Sequence, residues 1–100
     1  MAIANQTAKQ AISDYIEKCG GAYSSWNVGI ASDPRQRLFI DHNVDEENGQ
    51  WIYCPYESSN VARAVEEFFI NTLRTSGGVG GGDLTTRYVY AYRITGYTRQ

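Results

Sequence analysis

The sequence predicts a small α+β domain, with a three-stranded, mostly antiparallel sheet and helices packed on it. Three observations lead there. The hydrophobic pattern alternates between helical and strand periods in the order α-β-α-β-α-β. The strand-like segments are half polar, whereas strands of a buried parallel sheet are usually apolar on both faces. The chain has 100 residues, which gives one modest core and no second domain. Residues 1–100 are therefore read as one domain, with a core over 24–95 and an added leading helix.

That leading helix is expected over 7–19. Thr7 and Gln10 match a capping box. Ala8, Ala11, Ile12, Tyr15, Ile16 and Cys19 then recur at helical spacing, and Gly20-Gly21 ends the run. A strand follows over 24–31. Trp26, Val28 and Ile30 point one way; Ser25, Asn27 and Gly29 point the other, and a glycine there lets another group approach closely.

Asp33 before Pro34 is a strong helix start, with a capping carboxylate and a proline whose missing N–H costs nothing at the first position. This second helix is expected to reach about His42. A short strand lies at 51–56, with Pro55 putting it at an edge. Ser58 or Ser59 caps a third helix to about Leu73. The last strand, within 85–95, has Tyr88, Tyr90, Tyr92 and Ile94 on one face and Val89 and Ala91 on the other. It is expected to pair beside the 24–31 strand.

Composition narrows the function. Net charge is −2 and the pI is near 5.2, so no global basic field draws the chain to nucleic acid. Cys19 and Cys54 stand alone beside a single His, too few ligands for a structural zinc site. Residues 1–10 lack the apolar segment of a signal peptide, and no apolar run is long enough to span a membrane. A cytoplasmic protein with two reduced thiols and no membrane association is expected. "SGGVGGGD" at 76–83 lacks the Lys-Ser/Thr of a phosphate-binding loop and reads as an ordered connection.

Two places stand out for chemistry. On the third helix, Val61, Ala62, Ala64, Val65, Phe68, Phe69, Thr72 and Leu73 form a broad apolar arc, with Arg63, Glu67 and Arg74 opposite. Glu66 lies at the edge of that arc, between Leu73 and Ile70. It is either a boundary carboxylate reaching water or an Arg, or a metal-binding or catalytic one. On the second helix, Arg37 is four residues from Asp41 and either pairs with it or meets a ligand. His42 lies beside Leu38 and reads as a capping or packing residue, or as a catalyst.

"NVGIASDPRQRLFIDH" resembles the second motif of the GIY-YIG nuclease family, in which a strand ends in Tyr-Ile/Val-Gly and a capped helix brings an Arg eight residues after the Gly. Gly29 to Arg37 has that spacing. "ARAVEEFFI" resembles the family's later helix, with Glu66 at the metal-ligand position. The resemblance implies a GIY-YIG-like fold and DNA phosphodiester hydrolysis, with Arg37 on the phosphate, Glu66 on Mg or Mn, and a tyrosine preparing the nucleophile. "GAY" at 21–23 makes Tyr23 a candidate. Tyr90, with its neighbours Tyr88 and Tyr92, is another if the last strand supplies the phenol. Asn27 replaces the motif tyrosine, and His42 falls one residue after the family's helix His, where this chain has Asp41.

The expected function is a divergent GIY-YIG-like domain that binds nucleic acid or a protein partner without catalysis, as the acidic balance and Asn27 favour. Weak or no cleavage of duplex DNA follows from it, with stacking on Trp26, Trp51 or the Tyr88–Tyr92 face where exposed. The alternative is a minimal divalent-metal-dependent endonuclease using Arg37 and Glu66. The discriminating feature is whether Arg37 and Glu66 share one groove with a tyrosine within reach of both.

Overall fold

The computed structural model describes residues 5–77 and 86–100, with side chains from residue 9 onward. Helix α1 spans Asn5–Lys18 and turns Ile12 and Ile16 fully into the core. Thr7 lies inside it, so the expected capping role of Thr7 is corrected. Gly20 and Gly21 end the helix at φ +116° and +76°, a left-handed region that only glycine enters cheaply.

Strand β1 is Trp26–Ala31. It starts two residues later than expected, because Tyr23–Ser25 forms a 3-10 turn. The short helix α2, Pro34–Gln36, opens as expected, with the Asp33 carboxylate accepting the Gln36 N–H at 3.2 Å. It does not continue as an α-helix to His42. From Arg37 to Asp41 the backbone widens into a π turn, and the His42 N–H donates to the Arg37 carbonyl at 2.8 Å. Leu38 is buried within that turn and His42 lies at its end, 6 % exposed. Single π turns of this kind recur at functional sites.

Strand β2 is Trp51–Pro55. Helix α3 is Ser59–Asn71, capped by the Ser58 hydroxyl, which accepts the Val61 N–H at 3.3 Å. Ala62, Val65 and Phe69 are buried as the arc requires, but Ala64 and Thr72 are exposed, and Arg63 and Glu67 are half-buried rather than solvated. Strand β3 is Tyr88–Arg93.

The sheet order is β1-β3-β2 and both pairings are antiparallel. The C-terminal strand is thus central, beside β1 as the sequence suggested, and Pro55 lies on an edge strand where its missing N–H is tolerated. One face carries Trp26, Val28, Ile30, Ile52, Cys54, Val89 and Ala91 against α1 and α3. Burial of side chains such as Val28 and Val89 contributes about 1.5–3 kcal/mol each. The other face carries Ala31, Tyr90, Tyr92, Trp51 and Tyr53 against Leu38, Phe39 and Val44.

After α3 the chain returns along the free edge of β1. Ser76 donates to the Trp26 carbonyl at 2.8 Å and accepts from the Val28 N–H at 3.0 Å. Gly77, at φ +142°, presses so closely on the Val28 carbonyl that a Cβ has no room. The rest of the glycine stretch lies outside the described residues, and with it the expectation of an ordered connection. No helix among the described residues is long and apolar enough to cross a membrane. Cys54 is buried, Cys19 is half-buried, and both are free thiols.

Candidate functional site

The site begins with the antiparallel register, which sets Gly29 of β1 opposite Tyr90 of β3. Because Gly29 has no side chain, the Tyr90 phenol lies directly over it; a Cβ there would overlap the hydroxyl oxygen. The sequence anticipated a close approach at Gly29, and Tyr90 is the group that makes it. The Tyr90 hydroxyl and His42 Nε2 share a hydrogen bond at 2.8 Å, and the two rings are 5.4 Å apart. On the other side of the imidazole, Nδ1 lies 2.6 Å from the Arg99 carbonyl oxygen and 3.1 Å from the Tyr92 hydroxyl.

Arg37 stands at the mouth, with its side chain 49 % exposed and its guanidinium 3.1 Å from the Asp41 carboxylate. The expected i, i+4 pair therefore forms, but at a level of exposure where such pairs contribute little and are readily exchanged for a ligand. Glu66 enters from α3, 1 % exposed. Arg37, His42, Glu66 and Tyr90 all line one cleft of about 780 Å³, together with Asn27, Gly29, Ser76 and Gln100.

Burial pushes the Tyr90 hydroxyl above its ordinary pKa. The Arg37 guanidinium pulls it back, while Glu66 and Asp41 push it further up. The balance is upward, so Tyr90 is a neutral phenol at neutral pH. That it feels both the Arg37 guanidinium and the Glu66 carboxylate is the coincidence the sequence could only pose as a question. Tyr92 is pushed up too, chiefly by burial. Arg37 is drawn down by its own burial, but Tyr90 and Asp41 more than offset this and keep it a cation.

Tyr23 does not join them. Its hydroxyl donates to Glu17 at 2.8 Å and contacts Ser13 at 3.1 Å, so it ties the 3-10 turn to α1 and packs against the apolar core. The catalytic role suggested for Tyr23 by "GAY" is corrected on this geometry. The expected stacking rings also need correction. Trp26 and Tyr92 are fully buried, and Tyr90 is 2 % exposed. Only Trp51 and Tyr88 of that set remain half-exposed.

Known proteins give no further guide. No family model, curated protein or solved structure matches the chain at a significant level. The site must be read from its own chemistry.

A hard cation fits that chemistry in one form only. Among the described residues no group of three or more His, Cys, Asp and Glu side chains converges to enclose a metal. Magnesium-type ions, however, are commonly held by one or two carboxylates with substrate phosphate and water completing the shell, and Glu66 supplies one such oxygen donor in the cleft.

The sequence named Arg37, His42, Glu66 and Tyr90, and the structure brings these four to one cleft. Sequence reasoning missed the Arg99 main chain and Gln100, which reach the site from the C-terminal segment. A backbone carbonyl leaves no signature in a sequence. Tyr92 was named beside Tyr90, with which it shares a strand face.

Proposed function

We propose that the cleft binds a phosphodiester and that the chain is a minimal, metal-assisted nucleic-acid hydrolase of GIY-YIG-like design. One observation carries this reading: Arg37, the Tyr90–His42 pair and Glu66, from three different elements, line a single cleft. Each supplies a different requirement. Arg37 offers an always-charged, bidentate donor for the non-bridging phosphate oxygens. Tyr90 and His42 form a proton path: the phenol oxygen takes a proton from the attacking water as its own proton passes to His42 Nε2. Water is thereby converted to hydroxide and the imidazole to imidazolium, with no phenolate needed as a resting species. Glu66 is the residue that would hold magnesium or manganese, whose chemistry there is to stabilise charge on the leaving oxygen. The net acidic chain adds no long-range steering, so encounter with a polyanion is slow.

A second reading, binding of nucleic acid or a protein partner without hydrolysis, is favoured by Asn27. This buried amide stands in the cleft where the resembled motif has a phenol, and an amide transfers no proton. The two readings separate in a cleavage assay on single-stranded and duplex DNA, with magnesium or manganese at low salt, using wild type, Arg37→Ala and Glu66→Gln. Hydrolysis predicts slow cleavage in wild type and a loss on the order of 100-fold in both variants. Binding without cleavage in wild type supports the module, and equal cleavage by all three proteins removes the hydrolase reading.

A further inference from the structure

The C-terminal segment meets His42 through main chain alone. The Arg99 N–H donates to the His42 carbonyl at 2.7 Å, and the Arg99 carbonyl lies 2.6 Å from His42 Nδ1. The same two residues are thus bonded twice, backbone to backbone and backbone to ring. The segment is held in place by its own turn, in which the Thr98 hydroxyl accepts the Thr95 N–H at 3.0 Å and donates to the Thr95 carbonyl at 3.1 Å. It is tied again at Tyr97, whose carbonyl accepts from the Asn43 side-chain amide at 2.9 Å. Asn43 immediately follows His42 and sits at φ +56°, a region in which asparagine is among the better-tolerated residues.

We propose that the main chain of Arg99 is a positioning group that holds His42 in the Nδ1–H tautomer, leaving Nε2 as the acceptor for the Tyr90 hydroxyl proton. The inference rests on the hydrolase reading for its purpose, but not for its geometry. A carbonyl oxygen only accepts, so a nitrogen 2.6 Å from it must donate. A neutral imidazole carries one proton, so fixing it on Nδ1 makes Nε2 an acceptor. The Tyr90 hydroxyl at 2.8 Å is then a donor. Tyr92 satisfies the same assignment: its hydroxyl donates to the Arg99 carbonyl at 3.2 Å and accepts from Nδ1 at 3.1 Å. The opposite tautomer sets the Arg99 carbonyl against a bare nitrogen lone pair and directs a second proton at Tyr90, which closes the path from water.

The Arg99 side chain plays no part, and this makes the test sharp. Long-range proton–nitrogen NMR of the full chain reads the His42 tautomer directly, without substrate or metal. Wild type and Arg99→Ala are expected to show the Nδ1–H form. Arg99→Pro, which removes the N–H that registers the carbonyl, is expected to show a mixture or the Nε2–H form. Its cleavage is expected to fall about 10-fold or more, part of the ~10²–10⁴-fold that a positioned acid–base partner contributes. An Nε2–H tautomer in wild type overturns the proposal, as does a pure Nδ1–H form in a folded Arg99→Pro. If Arg99→Pro does not fold, the wild-type and Arg99→Ala tautomers decide. An Nδ1–H wild type that cleaves nothing removes the hydrolase reading while the positioning assignment stands.

Discussion

Val89 and Ala91 point from β3 into the core beneath α1 and α3, whereas Tyr90 and Tyr92, their immediate neighbours in the chain, point the other way and carry hydroxyls to His42. The same division runs through β1, where Trp26, Val28 and Ile30 fill the core while Asn27 and Gly29 line the cleft. Side chains on a strand alternate with period two, so one short strand can serve both purposes without compromise. The helix-covered face holds the sheet together by apolar burial. The opposite face uses the rigidity this creates to hold a phenol, an imidazole and a guanidinium around one opening.

The division is broken most severely from the packed side. Phe69→Ala removes a fully buried ring from α3 and is expected to cost about 3–5 kcal/mol in urea unfolding. If that variant still folds in buffer, its tyrosine–histidine contact should persist. Gly29→Ala attacks the seam between the two faces. Its Cβ overlaps the Tyr90 hydroxyl, so we expect a loss of about 1–3 kcal/mol and displacement of Tyr90 from His42, visible as a shifted His42 ring resonance.

Buried tyrosines give the comparison a pH axis. Burial pushes Tyr56, Tyr90 and Tyr92 above the ordinary value of 10.0. The unfolded chain therefore releases these protons first. Their stabilising effect is intact below pH 10 and is lost as pH rises toward the folded values, by at most about 1.4 kcal/mol per pH unit for each. Tyr56 belongs to the packed face, and its buried hydroxyl has no hydrogen-bond partner among the described residues. Tyr56→Phe is thus expected to leave neutral-pH stability unchanged or slightly raised and to flatten the alkaline loss in thermal melts. A marked loss at neutral pH would contradict this. Arg37→Ala is also expected to change stability little. Its exposed pair with Asp41 is worth under about 1 kcal/mol, although the variant removes the donor proposed to meet the phosphate.

How much of this was readable beforehand follows from which signals are local. Periodicity located all three strands and the three helical segments, because burial on one face writes itself into spacing. The Asp33-Pro34 start and the Ser58 cap were legible because caps use few residue types. Glu66 was legible as a carboxylate out of place on an apolar arc. The widening of α2 into a π turn was not, since Arg37–Asp41 has ordinary helical composition. Tyr23 misled because a Gly-x-Tyr string carries no record of which way the phenol points. Tyr90 shows the reverse case: its strand face was legible, but only the pairing reveals that it lies opposite Gly29.

The account rests on the cleft face being chemical rather than structural, and Tyr90→Phe tests that most directly. The substitution removes one oxygen from a ring that stays packed against Gly29 and Tyr92. The measurement is the single-turnover rate of DNA cleavage with manganese, for wild type and Tyr90→Phe, on protein shown by its thermal melt to be folded. The account predicts a fall on the order of 100-fold with the fold retained. Wild-type cleavage that Tyr90→Phe matches would contradict it.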